Sequence, residues 1–176
     1  MLIGDTVART VSRLQRTEEE LSRLALVDDL TGLANRRAFV TVGEQLRLVA
    51  DRAGETVLVV YADLDGMKAI NDRHGHAAGD ETLRQAARLL RETFREADLV
   101  ARIGGDEFCV LLPGHASEAK ASIDRLRDAV AGSAGFPPVA LSLGVAEGSP
   151  GCTIEDLIRR ADAAMYADKA LRSSRP

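Results

Sequence analysis

Two pairs of acidic residues occur where the sequence predicts turns. Asp63 and Asp65 follow the apolar run at 57–62, and Asp106 and Glu107 lie between two further apolar runs. Strand ends and turns are where rigid scaffolds commonly present functional groups. If the two regions lie side by side, the carboxylates converge, and a divalent cation would relieve their repulsion. Oxygen ligands favour Mg²⁺ over Zn²⁺, whereas two unrelated solvated acidic turns are the alternative.

A glycine pair, Gly104 and Gly105, precedes the second acidic pair. Glycine permits a positive φ in a turn and allows a phosphate to approach the backbone closely. The pair therefore predicts either a phosphate-binding turn or an ordinary tight hairpin, which uses glycine for the same reason.

The apolar pattern predicts the elements that would position these residues. The unbroken run at 57–62 indicates a strand covered on both faces, the runs at 99–103 and 108–112 indicate a hairpin, and alternation at 139–145 indicates another strand. The segment 65–79 is too rich in Gly, His, Asn and Asp for one clean helix. Apolar spacing predicts helices at four places: 36–52, 83–94, 123–130 and 154–165. This order predicts an α/β (α+β) sandwich with a central, mainly antiparallel sheet flanked by helices.

The first 27 residues predict another helix, with one polar seam position at Glu18. Counting Glu18, its seam positions recur at steps of three or four residues, and the apolar ones are Val7, Val11, Leu14, Leu21 and Leu24. This spacing is typical of a two-stranded coiled coil, and an amphipathic helix folded against its own domain is the alternative. We therefore expect a signalling helix at 1–26 and a single domain at 27–176.

Composition narrows the classes of protein that fit. The 176 residues are 45% apolar but only 3% aromatic, so we expect one domain with an aliphatic core. A net charge of −4 with well-mixed signs argues against a nucleic-acid binder. Cys109 and Cys152 match no metal or disulfide spacing, and a buried free Cys109 is consistent with a reducing cytoplasm. We see neither a signal-peptide pattern nor the roughly 20 apolar residues of a membrane span, although a larger parent protein could still be membrane-anchored.

Five segments match the motifs of one protein family, in that family's order, over roughly residues 27–172. The predicted hairpin turn at 102–108 reads RIGGDEF. The other four segments are DDLTGLANRR at 28–37, DLDGMKAIND at 63–72, GHAAGD at 75–80 and ADAAMYADK at 161–169. The chain thus resembles the GGDEF family, the diguanylate cyclases. The resemblance implies a nucleotide-cyclase-like fold and a bacterial cytoplasmic enzyme that condenses two GTP into cyclic di-GMP.

The resemblance also implies roles in metal binding and catalysis. Mg²⁺ (or Mn²⁺) would be held by Asp63, the backbone carbonyl of Leu64 and Asp106, and Glu107 would be a neighbouring acid able to bind a second metal ion. Asp106 would accept the proton of the attacking 3′-hydroxyl. Lys68 would stabilise charge on the phosphates, although a solvated surface lysine is the simpler interpretation of that residue.

Three residues match family positions that contact the guanine base or lie in the segment that binds the substrate. A carboxylate offers only acceptors and guanine presents adjacent N–H donors, so Asp80 suits that edge, and Asn71 can donate and accept. Asp80 could instead be a helix N-cap. His76 fits the family's substrate segment, but a structural hydrogen bond would also explain it.

The phosphate-binding side of the site departs from the family pattern at one position. Lys169 matches a phosphate-binding lysine of the last helix, and Gly104 and Gly105 would admit the phosphates. The family usually continues with an arginine four residues after this lysine. This chain has Ser173 there and Arg172 one position earlier, so a phosphate contact by Arg172 is an open expectation.

A second binding site is implied by Arg95 and Asp98, which match the family's Arg-x-x-Asp product-inhibition motif. Arginine's planar fork can hold guanine or phosphate by two contacts, so cyclic di-GMP bound here would slow turnover. The alternative is a surface ion pair at a helix end.

A product with two equivalent phosphodiester bonds implies two facing active sites, and hence a symmetric homodimer. The expected partners are GTP, cyclic di-GMP, a second copy of the chain and an upstream sensor domain, but no nucleic acid. Three other functions remain open: a non-catalytic receptor for cyclic di-GMP or GTP, a structural dimerisation module, and a mononucleotide cyclase. The apparent metal ligands argue against the receptor, the guanine-reading residues against the structural module, and the hairpin signature against the mononucleotide cyclase.

Overall fold

A computed structural model describes residues 26–173 except 115, 134, 136 and 150, and for 116–118 and 171–173 the backbone alone. Within this range, one sheet has the spatial order β1-β3-β4-β2-β5. Its strands are β1 (Ala34–Asn35), β2 (Val57–Leu64), β3 (Leu99–Arg102), β4 (Glu107–Pro113) and β5 (Leu141–Glu147). Of the helix expected at 1–27, residues 1–25, which carry the coiled-coil seam, lie outside the described residues. Leu26 and Val27 are described and are not helical, because Val27 forms an isolated antiparallel bridge with Ala34.

The described residues form five helices, four of which include positions predicted by the apolar spacing, whereas the helix at 67–74 was not predicted. They are α1 (Arg36–Ala53), α2 (Met67–His74), α3 (His76–Thr93), α4 (Ala116–Ala131) and α5 (Ile154–Ser173). The polar segment after β2 is not one clean helix, as expected, because Gly75 adopts φ 82° and separates α2 from α3. The short strand β1 is an element that the sequence pattern did not predict.

The sheet is mainly antiparallel, as predicted. Strand β2 pairs antiparallel with β4 on one side and with β5 on the other, and β3 pairs antiparallel with β4, whereas the short β1 runs parallel to β3. The expected hairpin is therefore formed by β3 and β4, and the expected sandwich of a central sheet and flanking helices is confirmed.

Both faces of β2 are buried, which explains its unbroken apolar sequence. Leu58, Val60 and Ala62 pack in a cluster with residues of α3 and α4, whereas Val59 and Tyr61 pack in a second cluster with residues of α1 and α5. Successive side chains of a strand point to opposite faces, so the sheet lies between two helical layers.

Helix α5 lies unusually close to the sheet at Gly144 of β5. A Cβ at this position would overlap the carbonyl oxygen of Ala161 and the backbone nitrogen of Met165. Lys169 lies about one helical turn beyond Met165, so this close approach brings Lys169 to the end of β2.

Two further expectations concern burial and membrane association. Cys109 is a buried free thiol, as predicted, and burial raises the pKa of this thiol. In the part of the chain that the structure describes, no helix is both long and apolar enough to cross a bilayer.

We predict that Gly144→Ala lowers the free energy of unfolding by about 2 kcal/mol, because a methyl group would force α5 away from β5. Urea denaturation measures this change. Gly105→Ala is the control, since a Cβ there meets nothing within 4 Å. Equal stability of the two variants would show that α5 does not depend on this contact.

Candidate functional site

The pairing of β2 with β4 brings the two acidic regions together. Asp63 lies directly opposite Glu107 in the register of the two strands. The backbone N–H of Leu64 donates to the carbonyl oxygen of Asp106 at 3.0 Å. The expected convergence of the strand end with the hairpin turn is therefore present, at one edge of the molecule that we call the acidic edge (Asp63, Asp65, Asp106 and Glu107).

Lys169 supplies the positive charge at the acidic edge. Its Nζ lies 2.5 Å from Oδ2 of Asp63 and 2.9 Å from Oδ1 of Asp65. The hydrogen bonds to Asp63 and then to Asp65 raise the pKa of Lys169 above its ordinary value. Ser142 of β5, which is buried, donates from Oγ to both carboxylate oxygens of Asp65 at 2.9 and 3.0 Å. Lys169 thus lies at the predicted site. It was expected to contact phosphates, and in the structure it contacts carboxylates.

Glu107 has a different set of contacts. Its Oε1 accepts a hydrogen bond of 2.6 Å from the hydroxyl of Tyr61. Its other oxygen lies over Gly104, where a Cβ would overlap the carboxylate. Neither Gly104 nor Gly105 adopts a positive φ. The expectation that the turn needs glycine for a positive φ is therefore wrong. Gly104 instead gives space to the Glu107 side chain.

The donor atoms of the acidic edge fit a magnesium ion. No three His, Cys, Asp or Glu side chains within the described ranges are grouped closely enough to hold a metal by themselves. Mg²⁺, however, is usually bound by one or two carboxylates together with substrate phosphates and water. Asp63 and Glu107 provide two carboxylates in register, and Asp63 and Asp65 bind the ammonium of Lys169.

The residues expected to read guanine lie on α2 and α3, directly after β2. Oδ1 of Asn71 is buried beside Gly79 and, among the described residues, has no hydrogen-bond partner. Asp80 is the fifth residue of α3, which begins at His76. The N-cap interpretation of Asp80 is therefore wrong, because the chain enters this helix at Gly75.

Two other expected substrate contacts are solvent-exposed. Lys68 is the second residue of α2, and His76 is the first residue of α3, and both side chains are exposed. Arg172 lies in the last turn of α5, but its side chain is outside the described residues. The structure therefore leaves the roles of these three residues as predictions.

The hairpin turn is tied to the start of the domain by Arg102. Its guanidinium donates to the carbonyl oxygen of Gly105 at 2.7 Å and to both carboxylate oxygens of Asp28 at 3.2 Å. Asp28 also accepts hydrogen bonds from the backbone and hydroxyl of Thr31 at 2.9 and 2.6 Å. This chain of contacts positions the turn, and sequence reasoning did not identify it.

Arg95 and Asp98 form a turn at the far end of β3. The carboxylate of Asp98 accepts a hydrogen bond from the backbone N–H of Arg95 at 2.8 Å. The backbone N–H of Asp98 donates to the carbonyl oxygen of Arg95 at 3.0 Å. Within the described residues these side chains do not form the alternative surface ion pair. The four residues of β3, about 13 Å long, separate this turn from the acidic edge.

Tyr61 and Ser142 are site residues that the sequence analysis missed, and Asp65 was noted only as part of an acidic pair. Tyr61 could have been identified from the sequence. Side chains along a strand alternate between its two faces, so residues 61, 63 and 65 were expected on the same face. Ser142 could be identified only from the pairing between β2 and β5, in which it lies opposite Asp63.

Comparison with known proteins identifies a family for this arrangement. The family model described as diguanylate cyclase, GGDEF domain, matches residues 25–175. An uncharacterized protein of Mycobacterium tuberculosis is 41% identical over 177 residues, which cover 96% of this chain and 28% of that protein. Diguanylate cyclase DgcM of Escherichia coli K12 is 36% identical over 166 residues, which cover 93% of this chain and 40% of that protein. The chain thus spans less than half the length of these relatives.

Solved structures have the same fold. The coiled coil and GGDEF domain of DgcB from Caulobacter crescentus, in complex with c-di-GMP, is 31% identical in sequence to this chain. The superposition has a TM-score of 0.77 and covers 98% of this chain and 94% of that one.

We predict that Asp28→Asn destabilises the domain at pH 7, on the order of 1 kcal/mol, because it weakens the contact with Arg102. Burial, the largest single influence, raises the pKa of Asp28, but the hydrogen bonds from Thr31 and Arg102 together hold it below its ordinary value. A lowered pKa in the folded state stabilises the fold above the unfolded pKa of about 3.9, and this contribution is lost as the pH falls through the folded pKa.

The difference in unfolding free energy between wild type and Asp28→Asn should therefore shrink between pH 5 and pH 3, which urea titrations at each pH measure. Asp29→Asn, at the exposed neighbouring position, is the matched control. A difference that stays constant over this range would mean that the Asp28 charge does not stabilise the turn.

Proposed function

Because the chain belongs to the diguanylate cyclase, GGDEF domain family, we propose that it condenses two molecules of GTP into cyclic di-GMP. In each of two steps, the 3′-oxygen of one GTP would bond to the α-phosphorus of the other, and pyrophosphate would leave. The observation that carries the proposal is the register that sets Asp63 opposite Glu107 beside Lys169. It brings carboxylate oxygens and the ammonium of Lys169 to one edge of the molecule.

The acidic edge would hold the divalent cation, Mg²⁺ or Mn²⁺, through Asp63, the Leu64 carbonyl, Asp106 and Glu107. When bound, the cation would lower the pKa of the attacking hydroxyl and offset the charge of the phosphates. Asp106 would accept the hydroxyl proton. Its carboxylate is half-buried and makes no hydrogen bond with the described residues, so its oxygens can accept one from substrate.

The triphosphate would lie beside the same edge. Lys169 already has its ammonium there, and phosphate oxygens are strong acceptors for it. Lys68 on α2 and Arg172 on α5 would add positive charge, and the turn at Gly104 and Gly105 would admit the phosphates. Catalysis would then consist mainly of positioning and electrostatic stabilisation.

The base would be read by residues of α2 and α3. The buried, unpartnered Oδ1 of Asn71 can accept from a guanine N–H, and the carboxylate of Asp80 can accept from the adjacent N1–H and N2–H₂ donors. Adenine lacks this pair of donors. His76, at the start of α3, would contact the same segment of the substrate.

The active unit would be a symmetric homodimer, because each protomer holds one GTP and the product contains two equivalent bonds. In this proposal residues 1–26 pair as a signalling helix controlled by an upstream sensor domain, and 27–176 form the catalytic domain. Cyclic di-GMP would inhibit by binding Arg95 and Asp98. The separation of that turn from the acidic edge by β3 supports a second, distinct site.

A non-catalytic receptor for cyclic di-GMP or GTP is the competing function. A receptor would require the turn at Arg95 and Asp98 to bind its ligand. It would not require a pair of opposed carboxylates with a lysine beside them. The contacts of Asp63, Glu107 and Lys169 therefore favour the enzyme.

We predict that the chain, incubated with GTP and Mg²⁺, forms a product with the mass of cyclic di-GMP. Asp106→Ala should lower kcat by about 100-fold or more, as expected for loss of a general base, while GTP binding persists. Asp128→Ala, on the exposed surface of α4, is the matched control. GTP binding by wild type without any cyclic dinucleotide would identify a receptor instead.

We predict that Arg95→Ala raises the inhibition constant of cyclic di-GMP about tenfold or more, since a guanidinium contact to a ligand contributes roughly 1.5–3 kcal/mol. Initial rates over a series of product concentrations measure it. Arg84→Ala, an exposed arginine of α3, is the control. Unchanged product sensitivity in Arg95→Ala would rule out this inhibitory site.

A further inference from the structure

Tyr61 is a buried residue of β2 whose only polar group meets the acidic edge. Its side chain is 4% exposed and packs in the cluster under α5. The hydroxyl donates a 2.6 Å hydrogen bond to Oε1 of Glu107. An ionised carboxylate can only accept, so the phenol is the donor.

The Tyr61 hydroxyl and Gly104 enclose the Glu107 carboxylate from two sides. Oε1 is held by Tyr61, and Oε2 lies where a Cβ of residue 104 would be. Ordering a glutamate side chain costs up to about 2 kcal/mol in rotamer entropy. A buried hydroxyl without a partner costs roughly 1–3 kcal/mol, so Tyr61 favours the one orientation of Glu107 that satisfies it.

This orientation matters because Glu107 lies opposite Asp63. Directly opposed residues of antiparallel strands have Cβ atoms only about 5 Å apart, and like charges at that distance repel. The ammonium of Lys169 offsets the charges of Asp63 and Asp65, whereas the neutral hydroxyl of Tyr61 stabilises the Glu107 carboxylate by a hydrogen bond. Each side of the carboxylate pair thus has its own partner.

We propose that Tyr61 is a positioning residue that holds Glu107 in the orientation required to bind a divalent cation. The proposal rests on the metal site of the proposed function and adds a residue from the core of the sheet to it. Hydrogen-bonded partners of metal ligands commonly change metal affinity 10- to 100-fold when they are removed. For an edge open to solvent we expect the lower end of this range.

The test measures Mn²⁺ binding by electron paramagnetic resonance of the free ion, with a saturating GTP analogue that lacks the 3′-hydroxyl in every sample and the same analogue without protein as the baseline. Tyr61→Phe keeps the ring and removes the hydroxyl, and should raise the Kd for Mn²⁺ about tenfold. Glu107→Gln removes the ligand charge. In the double variant, Tyr61→Phe should add little to the effect of Glu107→Gln, because the hydroxyl acts through Glu107.

Tyr166→Phe is the matched control, since Tyr166 is the other tyrosine of the chain and is 72% exposed on α5. Thermal unfolding of each variant establishes that the fold is retained. Three results would overturn the proposal: an unchanged Mn²⁺ affinity in Tyr61→Phe, an equal loss in the Glu107→Gln background, or a wild type that binds no Mn²⁺.

The failure of this proposal is distinguishable from failure of the proposed function. Product analysis with GTP decides whether wild type is a cyclase, whereas Mn²⁺ binding decides whether Tyr61 organises the site. A wild type that makes cyclic di-GMP, together with a Tyr61→Phe variant of unchanged Mn²⁺ affinity, would refute only the role of Tyr61.

Discussion

The antiparallel register of β2 against β4 determines which side chains meet at the acidic edge. In this register Asp63 faces Glu107, and Val60 faces Val110 in the core. Because side chains alternate between the two faces of a sheet, a slip of one residue would move Glu107 to the face opposite Asp63. The same slip would exchange the residues that pack against the two helical layers. The aliphatic core and the candidate site are therefore specified by one pairing.

Once this register has brought the carboxylates together, the surrounding elements stabilise them by an ion pair and by hydrogen bonds. Lys169 reaches Asp63 and Asp65 because α5 lies directly on β5, and Tyr61 donates to Glu107 from within the sheet. Unpaired charges in such a partly buried setting would be expensive. In the proposed reaction, a divalent cation would add two positive charges beside that of Lys169, and the triphosphate would supply negative charge that offsets them.

Much of the fold could be predicted from local patterns. The unbroken apolar run at 57–62 predicts a strand buried on both faces, and the two runs around Gly104 predict a hairpin, because each signal depends on neighbours in sequence. The helical stripe before Phe94 was equally clear, but its start was not. The sequence offered Asp80 as a helix N-cap, whereas the chain bends at Gly75, and Gly79 lies inside the helix beside the Asn71 side chain.

The contacts within the site were less predictable because they join distant parts of the chain. Lys169 and Asp63 are 106 residues apart in sequence, and their contact depends on the packing of α5 against Gly144. The family resemblance placed Lys169 in the site but did not indicate its carboxylate partners. Gly104 was expected to serve the turn by its φ, yet the space that it gives to Glu107 becomes visible only when the side chains are placed.

The most direct test of this account is the position of Mn²⁺ in crystals grown with a GTP analogue that lacks the 3′-hydroxyl, located by its anomalous scattering. If the two carboxylates bind the metal, the peak should lie within direct coordination distance of both the Asp63 and Glu107 carboxylates and next to the triphosphate. A cation held by phosphate oxygens alone, with neither carboxylate in contact, would contradict it.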